Sequence, residues 1–301
     1  MTVPELACGV LSLGDEPGLV DAVRSLIGQS EPVEIVVVNS GGGDPAARLA
    51  AAGIDVAVVN RERRLYPGAV RNIAIELTRA PYVSFLAADC LALPGWVAGR
   101  LREHRAGAAG VASCPANAYP NSTCAWASLV LLHNRQLPVG PPHTRVFYGL
   151  SYDRSLFERY GLFAEHLRTG EDTEFNHRFG ASSVVRATDV RTAHRYPTSL
   201  EGFLRDAYRR GCLRATMAGM RAGTRPKSAR IAADGALRIF ASLRTVLNTP
   251  SPDRASLLRA WPLVPLGALV YSVGAVTARF RPYDGSPGSA SNARPPSRGM
   301  L

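Results

Sequence analysis

The sequence is almost without lysine: Lys227 is alone among 35 basic residues, set against 24 acidic ones, for a formal charge of +11. A basic side made of arginine points either to a solvated surface or to anionic partners, such as a nucleotide diphosphate or a phospholipid surface. No zinc-ligand spacing, aromatic RNA-binding run or heptad repeat is present, which argues against nucleic acid as a partner. The five cysteines, Cys8, Cys90, Cys114, Cys124 and Cys212, are scattered, and none forms a CxxC pair. This pattern predicts a reducing compartment and mostly buried free thiols. The chain does not open on a charged segment followed by an apolar one, so no secretory signal is read. It carries no internal repeat.

What is there is a 301-residue chain, 46% hydrophobic, which suits one sizeable α/β domain plus an appendage, or two small domains. The first half alternates strand and helix signals. Residues 6–13 form an apolar run, and 17–27 place Leu19, Val20, Val23, Leu26 and Ile27 at helical spacing. Residues 33–38 (VEIVVV) are nearly continuous β-branched residues, as in a strand buried on both faces. A glycine loop follows at 40–43, with Asp44 as the N-cap of a helix ending at Gly53. Strands are expected at 54–59 and 82–86, and helices at 67–78 and 94–103. The alternation implies a mostly parallel sheet with right-handed crossovers.

The middle is less regular. Strands are expected at 110–114, 126–132 and 145–150, and helices at 153–160, 170–179 and 199–221. Beyond this the character changes. Residues 228–247 read as an arginine-bearing amphipathic helix, and 261–278 are 18 residues without a charge, bracketed by arginines. A spanning helix needs about 20 apolar residues, so this run reads as a membrane-dipping or short spanning segment, the alternative being a buried helix of a soluble domain. The divisions expected are a domain at 1–222, an amphipathic helical linker at 223–258, a membrane-associated segment at 259–280 and a disordered tail at 281–301.

In an open parallel sheet, ligands bind beyond the carboxyl ends of the strands. Asn39 and Ser40, directly after VEIVVV, can hydrogen-bond a base or ribose, and the glycines after them admit a ligand to the backbone; such loops are also simple tight turns. Arg71 can neutralise a diphosphate. Asp89 leaves a buried strand, where a carboxylate serves either a divalent cation or a turn cap. Glu171, Asp172 and Glu174 crowd a first helical turn, where they are ordinary dipole partners or, for one of them, a base for a hydroxyl proton. His194 follows a strand-like run, and is a structural residue or a ligand.

Taken in order, these segments resemble family 2 glycosyltransferases of the GT-A superfamily. The resemblance rests on residues 33–44 (VEIVVVNSGGGD), 69–73 (AVRNI), 82–96 (YVSFLAADCLALPGW), 149–163 (GLSYDRSLFERYGLF), 170–179 (GEDTEFNHRF) and 192–210. It implies an α/β GT-A (nucleotide-diphospho-sugar transferase) fold, a mostly parallel Rossmann-like sheet flanked by helices, with a C-terminal helical extension. It further implies an inverting transfer from a nucleotide-diphosphate sugar to a saccharide or lipid-linked acceptor hydroxyl. The residues it assigns to donor and cofactor binding are Ser12, Asp15, Asn39, Ser40, Arg71, Ala88 and Asp89. Asp89 and His194 would hold Mg2+ or Mn2+, and Asp172 would be the base, with Glu171 beside it. Tyr208, Arg209, Arg210 and Gly211 match an arginine-bearing helix on the acceptor side. A cytoplasmic location at the inner face of the cell membrane, and a role in cell-envelope glycan or glycolipid synthesis, are also implied. Ala87 departs from the family, standing where the first Asp of Asp-x-Asp belongs. It leaves open a protein that binds a donor without turning it over. A nucleotidyltransferase would need an N-terminal glycine- and lysine-rich loop that this sequence lacks.

Overall fold

The structure is a computed structural model that describes residues 3–139, 147–180, 183–222, 228–249, 253–278 and 280. Its centre is one eight-stranded sheet in the order β3-β2-β1-β4-β7-β6-β8-β5. The strands are β1 (Leu6–Leu13), β2 (Val33–Ser40), β3 (Ala57–Arg61), β4 (Tyr82–Ala87), β5 (Cys90–Ala92), β6 (Gly110–Asn117), β7 (Leu150–Asp153) and β8 (Val184–His194). β3, β2, β1 and β4 run parallel; β7 is antiparallel to both β4 and β6, β8 is parallel to β6, and β5 is antiparallel to β8. The sheet is therefore mixed, with an all-parallel half (β3-β2-β1-β4) and a second half in which only β6 and β8 run parallel.

Each parallel strand divides its apolar side chains between two cores. Leu6, Cys8, Val10 and Val37 pack under α1 (Leu19–Ile27) and α4 (Trp96–Arg105). Val36, Val38, Val83 and Phe85 face α3 (Pro67–Leu77), α6 (Ser155–Tyr160) and α7 (Glu171–Arg178) on the other side. This double burial is why VEIVVV shows no alternation. α3 lies hard against β1: a Cβ on Gly9 would stand 2.5 Å from that of Ala74. α2 (Pro45–Ala51) starts as its sequence signals, with Asp44 accepting from the Ala47 amide at 2.9 Å.

Residues 126–132, expected as a strand, lie inside a helix, α5 (Thr123–His133). Every residue from Ala125 to Leu131 is buried, so the run shows neither period and its length alone fits a strand. The discriminating signal is Ser122, whose hydroxyl accepts from the Ala125 amide. β7 begins only at Leu150, where the expected 145–150 strand ends; residues 140–146 lie outside the described residues.

A third core joins α5 to α8 (Leu200–Ala222), α9 (Ser228–Asn248), α10 (Asp253–Ala260) and α11 (Leu263–Thr277). α8 and α11 cross backbone to backbone. A Cβ on Gly211 would stand 1.9 Å from the Tyr271 carbonyl oxygen, and one on Gly274 2.2 Å from that of Tyr208. The charge-free run at 261–278 thus buries Val264, Gly267, Ala268, Tyr271, Gly274 and Ala275, while Leu266, Leu269 and Val273 are exposed. Among the described residues no single helix is long and apolar enough to cross a membrane; α10 and α11 have that length only together, bent by 57°. The 281–301 tail lies outside the described residues.

Candidate active site at the carboxyl ends of the strands

The parallel register sets the first wall. Ser12 pairs with Asn39, and Asn39 with Asn60, at the ends of β1, β2 and β3. Asn39 is fully buried and donates from Nδ2 to the Gly42 carbonyl (2.7 Å) and to Asn60 Oδ1 (2.8 Å), while Asn60 donates to the Gly43 carbonyl. The two amides hold a loop in which Gly41, Gly42 and Gly43 have φ of +89°, +82° and +83°, a region other residues avoid. Asp15 closes over it: a Cβ on Gly43 would meet Asp15 Oδ1 at 2.4 Å. Among the described residues, the buried Ser12 Oγ and Asn39 Oδ1 have no hydrogen-bond partner. Ser40 is buried as well. Burying a polar atom unpaired costs free energy, and such atoms at strand ends mark where a ligand would complete the bonding.

β4 delivers the second wall. Ala87 is exposed, whereas the Ala88 side chain is buried in the core and its amide donates to the Leu11 carbonyl. Asp89 then turns outward, its carbonyl accepting from the Arg195 amide at 3.0 Å. The antiparallel β5–β8 ladder sets Cys90 opposite His194. His194 Nε2 stands 3.6 Å from Asp89 Oδ2, and the Cys90 thiol donates to Asp89 Oδ1 at 3.4 Å. Burial holds His194 below its ordinary pKa despite Asp89, with Arg210 adding to the effect. Its ring stacks on Tyr196, whose hydroxyl meets His133 Nδ1 at 2.9 Å. The groove here is lined by Asp89, Tyr119, His194, Arg195, Asp206 and Arg210, among others. Arg210 binds Asp206 at 2.7 Å and Arg209 binds it at 3.0 Å. Burial opposes the Asp206 charge, but those two arginines prevail and keep its carboxyl below the usual range.

α3 and α7 form the third wall. Arg71 Nε is 3.1 Å from Glu171 Oε1, and its guanidinium lies 5.0 Å from the Phe85 ring centre and 5.4 Å from that of Phe163. Burial disfavours the Arg71 charge, but Glu171 and Asp172 overcome it and hold the guanidinium above its ordinary pKa. Glu171 is only 4% exposed; burial raises its pKa although Arg71 opposes this. Asn72 clamps the approach to α7, donating to the Phe163 carbonyl and Glu165 and accepting from the Phe163 amide. Asp172 is half-buried, and its Oδ1 accepts from the amide (2.6 Å) and hydroxyl (3.2 Å) of the next residue, Thr173.

The structure thus brings Asp89 to His194, Arg71 to Glu171, and Ser12 to Asn39. It gives Arg71 an internal carboxylate partner, and it buries the Ala88 side chain, which does not line the groove beside Asp89. Asp172 is not among the residues lining the groove beside Asp89. Its neighbour Glu171 pairs with Arg71, which lies over Phe85 of β4. Sequence reasoning missed Cys90, Asp206 and His133. Only the i,i+4 spacing of Asp206 and Arg210 on α8 offered a signal.

A mixed sheet of this order, flanked by helices and carrying polar groups at its carboxyl edge, is a GT-A glycosyltransferase fold. Residues 10–160 match the model of the family described as Glycosyl transferase family 2. The chain belongs to that family and is a glycosyltransferase. It is 26% identical over 301 residues to succinoglycan biosynthesis protein ExoU of Rhizobium meliloti (strain 1021), covering 88% of this chain and 86% of that protein. Among solved structures it resembles the mannosyltransferase PcManGT from Pyrobaculum calidifontis in complex with GDP-Man and Mn2+. That match has a TM-score of 0.58 and 17% identity, over 92% of this chain and 88% of the other. A mycobacterial protein matches with a TM-score of 0.50 and 20% identity, over 75% of this chain and 76% of its own.

Proposed function

We propose that the protein is an inverting glycosyltransferase that moves a sugar from a nucleotide-diphosphate sugar to an acceptor hydroxyl. The observation that carries this reading is Asp89 facing His194 across 3.6 Å at the carboxyl end of the sheet, inside an arginine-lined groove. A carboxylate oxygen and an imidazole nitrogen at that separation can both reach one divalent ion, which sits about 2.0–2.2 Å from each donor. The donor set fits Mn2+ at least as well as Mg2+, which prefers oxygen. Such an ion, bound by Asp89 and His194, would neutralise charge on a leaving diphosphate.

The chain's own residues account for the rest. Ser12 and Asn39 offer their unpaired oxygens to donors on the nucleoside. Arg210 and Arg209 present positive charge to the diphosphate from α8. Asp172 takes the proton from the acceptor hydroxyl as that oxygen attacks the anomeric carbon. The C–O bond to the diphosphate breaks as the new glycosidic bond forms, with inversion. Glu171 and Arg71 act from behind, holding the first turn of α7 in place. The relative from Rhizobium meliloti, a succinoglycan biosynthesis protein, supports a role in polysaccharide synthesis. The exposed apolar residues of α9 and α11, among them Phe240, Leu247, Leu266 and Leu269, support attachment to the inner face of the membrane.

A second reading rests on Ala87, which leaves an exposed methyl where a carboxylate would help hold the donor. In it the protein binds a nucleotide sugar without turning it over. Donor hydrolysis and transfer assays with Mn2+ separate the two. Turnover by the wild type, lost in Asp172→Asn with nucleotide binding retained, supports the enzyme. Binding with no turnover on any donor supports the alternative.

A further inference from the structure

We infer that Cys90 is a third ligand at the Asp89–His194 site and turns it into a centre for thiophilic divalent ions. The inference rests on the metal reading above and adds a donor to it. The argument starts from the ladder. β5 and β8 are antiparallel, and Cys90 and His194 are directly opposed, so their side chains leave the sheet on the same face. Asp89 precedes Cys90 at the turn that starts β5, and its carboxylate comes back over both. One carboxylate oxygen, the Cys90 sulfur and an imidazole nitrogen all lie within 4.8 Å of one another.

The surroundings support the same conclusion. Cys90 is one of three buried cysteines, but the other two, Cys8 and Cys114, are not in this cluster. Among the described residues the Cys90 sulfur makes polar contacts to Asp89 Oδ1 and, at 3.8 Å, to the Tyr148 hydroxyl. With its sulfur within 4.8 Å of both other donors, Cys90 lies where an ion held by Asp89 and His194 would meet it. On coordination the thiol proton leaves to solvent and the sulfur binds as thiolate, with no change of oxidation state. Oxygen, nitrogen and sulfur donors together favour Zn2+, Co2+ and Cd2+ over Mn2+, and leave Mg2+ weakest. A site of this kind would be displaced from Mn2+ by low concentrations of Zn2+.

The test is optical titration of the full-length protein with Co2+ alone, in a thiol-free reducing buffer. Wild type is expected to show both ligand-field bands and an intense near-ultraviolet thiolate-to-cobalt band. Cys90→Ser should keep the ligand-field bands and lose the thiolate band, and Cys124→Ser/Cys212→Ser should keep both. Should Cys90→Ser fail to fold, cadmium-113 resonance of the wild type decides instead, since a sulfur ligand moves the signal strongly downfield. Ligand-field bands with no thiolate band in the wild type would overturn Cys90 ligation and leave the Asp89–His194 ion intact. No cobalt spectrum at all would overturn the metal reading together with it.

Discussion

The two acidic walls of the site are built in opposite ways. At α7 the charge is settled within the protein: Glu171 is buried against Arg71, and aromatic rings cover the pair. At Asp89 it is left unsettled. In the groove Arg209 and Arg210 share Asp206 and Arg195 pairs with Asp21, while the carboxylate of Asp89 is 41% exposed and faces His194. A carboxylate held by a buried arginine fixes geometry, whereas one left exposed beside an imidazole can take a cation. The comparison separates positioning from binding, and each half can be attacked alone.

The largest effect is expected from the base. Asp172→Asn should lower transfer by about 10²–10⁴-fold with nucleotide affinity unchanged, because a general base contributes on that scale. Single-turnover assays beside calorimetry would read it, and full activity would remove Asp172 from the role. Next comes the pair behind it. Arg71→Met leaves Glu171 buried without a partner, a change that typically costs about 3–5 kcal/mol. Adding Glu171→Gln should recover most of that stability in urea unfolding. If the double variant is no more stable than the single one, the pair is not the unit described here.

Acid should act through the buried histidines. Burial pushes His104 down to about 4 from its usual 6.5, and lowers His133 and His194 as well. The unfolded chain binds these protons more readily, so stability is present above about pH 6.5 and is lost as pH falls towards 4. For His104 alone the full loss is on the order of 3 kcal/mol. His104→Gln should therefore flatten the fall in urea midpoint between those pH values; an unchanged slope would contradict this. The smallest effect concerns the junction of α8 and α11. Gly274→Ala forces a methyl onto the Tyr208 carbonyl, and overpacking of this kind costs about 1–3 kcal/mol. Because α8 carries Arg210, the same variant should weaken nucleotide binding and leave the Arg71–Glu171 wall untouched.

Much of the parallel half was legible in the sequence. β1 coincides with its apolar run, α2 with its Asp44 cap, and α3 with its proline start and Thr78 end. These features are local: a period, a cap or a turn residue decides them. Failures came where long-range contacts decide. The run at 126–132 is buried on all sides and so shows no period, leaving the Ser122 cap as its one local mark of a helix. β5 is three residues long and exists through its ladder with β8, so the meeting of Cys90 with His194 left no local trace. Arg71 was visible as a candidate, but its pairing with Glu171, a hundred positions away, was not. The sequence marks the charges of the site; only the fold decides which of them answer one another.

The central claim is that the exposed Asp89 carboxylate anchors donor binding in the arginine-lined groove. It is tested most directly by calorimetric titration of nucleoside diphosphates into wild type and Asp89→Ala, each with and without Mn2+. The account predicts binding by the wild type that strengthens with Mn2+, and weak, Mn2+-independent binding by the variant. Equal affinities and equal Mn2+ responses in the two proteins would contradict it.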